Sequence, residues 1–146
     1  IGVDIYVPDD LRERLRSHGS ISDRIVLLKG SSVEEVTVNR IREITGGSRK
    51  VLIILDSFHA HDHVLQELRL YTPLIGAGHY LICSDTVIEY QPEPDYRNPP
   101  WGHGNNPKTA LDQFLKETDR FVIDSAIDHK LLFTCIPGGY LRCRKD

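Results

Sequence analysis

The stretch "KVLIILDSFHAHDH" (residues 50–63) decides how the rest of the chain reads. It opens with an unbroken run of Val51, Leu52, Ile53, Ile54 and Leu55. A half-wet strand alternates apolar and polar residues; a short continuous run rich in branched side chains fits a strand covered on both faces, as in a parallel sheet. The run stops on Asp56. His59, His61, Asp62 and His63 follow at once. Parallel sheets bind ligands beyond the carboxyl ends of their strands, and this strand delivers a carboxylate and a set of imidazoles to that edge.

Outward from this segment, strands and helices alternate. "IGVDI" (1–5), "DRIVLLKG" (23–30) and "GHYLICSDTVI" (78–88) read as further strands. "VPDDLRERLRSHG" (7–19) reads as a helix with acids in its first turn and Gly19 after its last. "SSVEEVTVNRIREITGG" (31–47) reads as a second, with Ser32 and Glu35 as a capping box, Val33, Val36, Ile41 and Ile44 on one face, and Gly46 as the stop. In "HDHVLQELRLYTPLI" (61–75), Val64, Leu65, Leu68 and Tyr71 share a helical face. "NPKTALDQFLKET" (106–118) starts a helix with Asn106 as N-cap and Pro107 in the first position. "RFVIDSAI" (120–127) and "KLLFTCIPGGYLRCR" (130–144) read as two closing strands, the second broken near Pro137-Gly138-Gly139. The order implies an α/β fold with a mainly parallel sheet and an antiparallel partner at the end. The proline-rich segment 89–105 reads as a functional lid or a disordered loop, in which Tyr90, Tyr96 and Trp101 either cover a flat or sugar-like substrate or pin the loop down.

A length of 146 residues suits one domain, residues 1–146. Eighteen Lys and Arg face 21 Asp and Glu, so the net charge is −3 and no basic stripe marks a nucleic-acid partner. No apolar run approaches the roughly 20 residues that span a bilayer. Cys83, Cys135 and Cys143 show no metal-ligand spacing and read as core thiols of a cytoplasmic protein.

Asp4, Asp56 and Asp85 each close a strand, and Gly30-Ser31-Ser32 closes another. Asp56 and Asp85, if brought together, repel each other and favour a bound divalent cation; Mg²⁺, an oxygen-seeking ion, suits them. The alternative is a pair of capping residues beside solvated histidines. His59, three residues past Asp56, is placed to act as general base on a hydroxyl, because imidazole titrates near neutral pH. His61 and His63 read as surface or supporting residues, and the His59/His63 spacing gives weak grounds for zinc. Asp4 is placed either to accept from a ribose diol or to cap the following helix.

"LDSFHAHDHVLQELRLYTPLIGAGHYLICSDT" (55–86), with "RIVLLKGSS" and "KLLFTCIPGGYLRCR", resembles the cephalosporin hydroxylase / rhamnosyl O-methyltransferase family of class I S-adenosylmethionine-dependent methyltransferases. The resemblance runs along nearly the whole chain. It implies a Rossmann-like sheet of order 3-2-1-4-5-7-6 with the last strand antiparallel. It implies S-adenosylmethionine as cofactor, held by Asp4, Gly30, Ser31 and Ser32. It also implies a metal site built as Asp-x-x-His followed by Glu-Asp. Asp56 and His59 match the first part and Asp85 the last. Ser84 stands where the pattern has glutamate, which removes a charged ligand and leaves the serine hydroxyl or a water to fill that metal position beside Asp56 and Asp85, with His59 as the base. The chain begins at what would be the family's second strand, so the first strand and its glycine-rich loop are expected to lie outside it, making residues 1–146 the C-terminal portion of a longer domain.

The expected activity is methyl transfer to a hydroxyl of a sugar, glycolipid or secondary metabolite, a small-molecule acceptor, by a homo-oligomer with Mg²⁺ assisting. The rival readings are a catalytically silent fragment or paralogue acting through oligomer contacts, and a receiver-type signalling domain with Asp56 as phosphoacceptor. The second lacks the lysine it needs after "YLICSDT".

Overall fold

A computed structural model describes residues 1–92 and 99–146. The chain divides into two compact units, Ile1–Gly46 and Gly47–Asp146. Both mix strands and helices, as the alternating pattern requires.

In the first unit, β1 (Gly2–Asp4) pairs in parallel with β2 (Leu27–Lys29). Helix α1 (Asp9–Ser17) and a 3-10 turn (Gly19–Arg24) connect them, and α2 (Glu35–Thr45) follows β2. The second strand is therefore shorter than residues 23–30 suggest, because Gly19–Arg24 coil into the turn. Gly46 ends α2 in the left-handed conformation, at φ 57°, which glycine adopts without steric cost. Ser32 does not hold the N-cap position that the expected Ser32–Glu35 capping box requires. The N-cap is Glu34, two residues later, and its side chain makes no capping bond. The buried face also differs from the predicted one: Thr37, Val38 and Ile41 are buried while Val36 is exposed.

The second unit holds a four-stranded mixed sheet. Its strands are β3 (Ile53–Leu55), β4 (Tyr80–Cys83), β5 (Phe121–Ile123) and β6 (Tyr140–Cys143), in the order β3-β4-β6-β5. β3 and β4 run parallel; β6 is antiparallel to both its neighbours. Helix α3 (His61–Tyr71) packs against α4 (Pro107–Glu117). Val64, Leu65, Leu68 and Tyr71 of α3 are buried, as their spacing predicts, and Leu81, Leu111 and Leu141 are fully buried with Leu68. Among the described residues, no helix is long and apolar enough to cross a membrane.

Three strand expectations are corrected here. Residues 125–131 form a helix, α5 (Ser125–Leu131), where strands were expected, and only Tyr140–Cys143 of the last apolar run joins the sheet. Leu132 and Phe133 are almost fully exposed, so their hydrophobicity does not report a core strand. β4 also stops at Cys83 rather than running to Ile88. Asp85 takes a left-handed conformation (φ 53°, ψ 29°), and Thr86–Tyr90 coil into a 3-10 turn.

Candidate active site

The parallel β3-β4 pair sets the geometry. Leu55 and Cys83 are register partners, and the Ser84 amide donates to Leu55 O at 2.9 Å. The two strands therefore end side by side. Asp56 leaves the end of β3, and the left-handed turn at Asp85 bends the chain just beyond β4. Non-glycine residues pay a steric cost there, least for Asp and Asn, and such strain collects at functional sites. The turn is fixed from behind. Thr86 Oγ1 donates to Pro137 O (2.9 Å), and Val87 N donates to Cys135 O (3.2 Å).

Asp56, His59 and Asp85 converge. His59 Nε2 lies 3.5 Å from Asp56 Oδ1 and 3.0 Å from Asp85 Oδ2. One ligand atom from each falls within 4.8 Å of the others. Yet Nε2 is buried and makes no aligned hydrogen bond among the described residues, despite the short approach of Asp85. Two carboxylate oxygens and an imidazole nitrogen thus face one small volume without a donor between them. A proton on Nε2 or a divalent cation held by all three relieves that arrangement. The two carboxylates fit Mg²⁺ or Mn²⁺ with water completing the shell; the imidazole is a poor donor for Mg²⁺ and better suited to moving a proton.

Aromatic rings wall this cluster. Trp101 meets His59 edge-on at 5.2 Å between centroids and Phe58 at 5.1 Å. The segment carrying Trp101 is tied down at several points. The Glu89 carboxylate accepts from Gly104 N (2.9 Å) and from Asn106 Nδ2; Asn106 Nδ2 also donates to Gly102 O. Asn105 donates to Pro100 O and accepts the His61 amide at the start of α3. These bonds hold Glu89 below the ordinary glutamate range, chiefly through the Gly104 amide and then Asn106, with the charges of His103 and Lys108 assisting. Tyr90 is largely exposed, and Tyr96 lies outside the described residues.

The other residues singled out from sequence are placed as follows. Ser84 is buried beside the cluster, with its amide spent on β3. His61 bonds Thr109 Oγ1 (2.8 Å) and Gln113 Oε1 (3.1 Å), joining α3 to α4 away from the cluster. His63 lies 3.6 Å from Glu67 and edge-on to Phe58, outside the ligand group. In the first unit, Asp4 and Gly30 sit together at the carboxyl ends of β1 and β2, where Gly30 N donates to Asp4 O (2.9 Å). Asp4 Oδ1 accepts from Tyr6 N (2.8 Å), and the rest of the side chain is exposed. A Cβ on Gly30 would lie 2.7 Å from Thr37 Oγ1, so any side chain there would have to displace the buried Thr37. Sequence reasoning missed Glu67, a buried acid on the apolar face of α3. Its signal was a charge at a position flanked by Val64, Leu65 and Leu68.

Fold and cluster together define an α/β protein with a carboxylate–imidazole cluster at the carboxyl ends of two parallel strands. The chain belongs to the rhamnosyl O-methyltransferase/CmcI family, whose model matches residues 1–144. Rhamnosyl O-methyltransferases of Mycobacterium tuberculosis and Mycobacterium bovis are each 29% identical to it over 119 residues, 80% of this chain and 46% of theirs. That of Mycobacterium leprae has the same identity, with 49% of its length covered. The chain thus spans about half the length of the curated relatives it matches. No solved structure gives a significant match.

Proposed function

We propose that this chain carries the acceptor-side machinery of an S-adenosylmethionine-dependent O-methyltransferase that modifies a hydroxyl of a sugar, glycolipid or secondary metabolite. The observation that carries this reading is the approach of Asp56 and Asp85 to His59 Nε2, at 3.5 and 3.0 Å, in a member of this family. The names of the mycobacterial relatives favour a rhamnosyl hydroxyl as acceptor.

In this mechanism His59 Nε2 takes the proton of the acceptor hydroxyl as its oxygen attacks in line. Asp56 and Asp85 stabilise the positive charge the imidazole gains. S-adenosylmethionine supplies the electrophilic methyl group. Asp56 and Asp85 would hold Mg²⁺ and leave His59 Nε2 free as base; the buried Ser84 leaves one fewer charged ligand than the family's pattern has. Phe58 and Trp101 exclude water from one side and offer apolar surface to the acceptor ring. Asp4, with Gly30-Ser31-Ser32 beside it, is an exposed carboxylate at a parallel strand end, suited to a ribose diol.

The β3-β4-β6-β5 order with β6 antiparallel supports the 4-5-7-6 side of a class I methyltransferase sheet. The family match runs unbroken through both units, which supports one domain. Three free cysteines, two of them buried, support a cytoplasmic setting. The exposed run Leu131–Phe133 supports assembly with other copies.

The test is calorimetric titration of the 146-residue chain with S-adenosylhomocysteine and with Mg²⁺ or Mn²⁺, alongside methyl transfer to methyl α-L-rhamnopyranoside. Asp56→Asn and His59→Ala are expected to remove cation binding and turnover respectively. Turnover that survives both substitutions unchanged sinks the assignment.

A further inference from the structure

Glu67 occupies a position where chemistry and packing disagree. It lies on the inner face of α3 beside Val64, Leu65 and Leu68, and only 2% of it is exposed. An apolar residue would pack there without the cost of taking a charge out of water. Its compensation is incomplete. Oε1 accepts from Ser57 Oγ at 2.7 Å and lies 3.6 Å from His63 Nε2. Oε2 is buried and has no hydrogen-bond partner among the described residues. A buried acid with half its acceptor capacity unused calls for a reason beyond stability.

Ser57 supplies one. It lies between Asp56 and His59 in the turn that leaves β3, and it is exposed, so its hydroxyl is not needed inside to satisfy itself. The bond to Glu67 ties that turn to α3 across ten residues of chain. A buried side-chain oxygen gives the Ser57 hydroxyl a fixed acceptor that water does not compete for. The turn so held carries two of the three converging groups, Asp56 and His59.

We propose that Glu67 is a positioning residue: through Ser57 it locks the Asp56–His59 turn so that Asp56, His59 and Asp85 face a common point. This inference rests on the reading of those three residues as the reacting centre. Outer-shell partners of this sort hold metal ligands in place, and their loss typically weakens metal binding about 10- to 100-fold.

The test compares the unmodified 146-residue chain with Ser57→Ala, Glu67→Ala, Glu67→Gln and the Ser57→Ala/Glu67→Ala pair. The first readout is the ¹H–¹³C Cε1 resonance of His59 in metal-free protein. It should move alike in both alanine variants, move no further in the pair, and return in Glu67→Gln, which keeps an oxygen acceptor for Ser57. The second readout is Mn²⁺ affinity by electron paramagnetic resonance. It should fall about 10- to 100-fold in the alanine variants and recover to within about threefold in Glu67→Gln. Folded alanine variants with an unmoved His59 resonance overturn the proposal, as does a Glu67→Gln variant that behaves like Glu67→Ala. Ser57→Ala keeps the test decisive if Glu67→Ala does not fold. Absence of Mn²⁺ binding in the unmodified chain overturns the metal reading alone, since the His59 signal is recorded without metal.

Discussion

Replacing Asn106 by alanine removes the start of α4 and the anchor of the Trp101 segment in one step. Asn106 Oδ1 accepts from Lys108 N (2.9 Å) and Thr109 N (3.3 Å); Nδ2 donates to Glu89 and to Gly102 O (2.8 Å). The side chain is fully buried, so water cannot replace these bonds. Losing the N-cap costs about 1 kcal/mol. Losing the bond to a charged carboxylate costs about 2 kcal/mol more. A total of about 3 kcal/mol lowers Tm by roughly 6–12 °C in a domain of about 150 residues. Asn106→Asp separates the two roles. Aspartate caps as well as asparagine, but it has no donor and sets a second carboxylate against Glu89. That variant should keep α4 by circular dichroism and lose only the clamp, about 2 kcal/mol. Trp101 is the sole tryptophan of the chain, so its emission reports the segment directly. Both variants should show a red-shifted emission maximum in differential scanning fluorimetry and steady-state spectra. An Asn106→Asp protein with the emission and Tm of the unmodified chain would refute the idea that this side chain holds Trp101 over His59.

Gly139→Ala should unfold the closing corner of the sheet. A Cβ there would overlap Cys83 O and Ile136 Cγ2. Backbone cannot yield as a side chain does, so a loss of at least ~2 kcal/mol is expected from urea titration, and an unchanged midpoint contradicts the packing. Thiol labelling of native protein at pH 8 should modify Cys135, which is exposed, and spare Cys83, whose thiol is pushed up to about 12 by burial and then by Glu67 and Asp85. Rapid labelling of Cys83 would place it outside the core. Glu89 gives a pH dependence. Its folded value is lowered, so its stabilisation is complete above the ordinary glutamate range and is lost as pH falls through the lowered value. Trp101 emission should shift in that acid window, and Glu89→Ala should show the shifted spectrum already at pH 7; a spectrum indifferent to both breaks the link.

Local signals made part of the molecule legible in the amino-acid order. The Val51–Leu55 run marked a strand, but only Ile53–Leu55 forms it, and Leu52 and Ile54 are exposed at the sheet edge rather than covered on both faces; the Val64-Leu65-Leu68-Tyr71 spacing marked the buried face of α3, and Asn106-Pro107 marked the start of α4. Each depends on neighbours a few residues apart, which periodicity and capping chemistry can read. Asp56, His59 and Asp85 could be named as candidates because carboxylates closing parallel strands share an edge. Where such local rules fail, an unseen partner has won. Leu131–Phe133 looks like a strand by composition, but no sheet position receives it, and Ser125–Leu131 coils instead. Ser32 looks like a cap, yet the chain turns into α2 two residues later.

Composition and spacing alone therefore determined the α/β class, the helices with strong faces or caps, and the residue types offered to the ligand edge. Tertiary structure alone decided that His59 sits 3.0 Å from Asp85, that Trp101 closes over both His59 and Phe58, and that Glu67 reaches Ser57 from inside α3. The reason is range. Periodicity reports which face of an element is buried, but contacts between residues ten to forty positions apart depend on strand register, on the left-handed turn at Asp85 and on the packing of α3 against α4, none of which is encoded in any single stretch of chain.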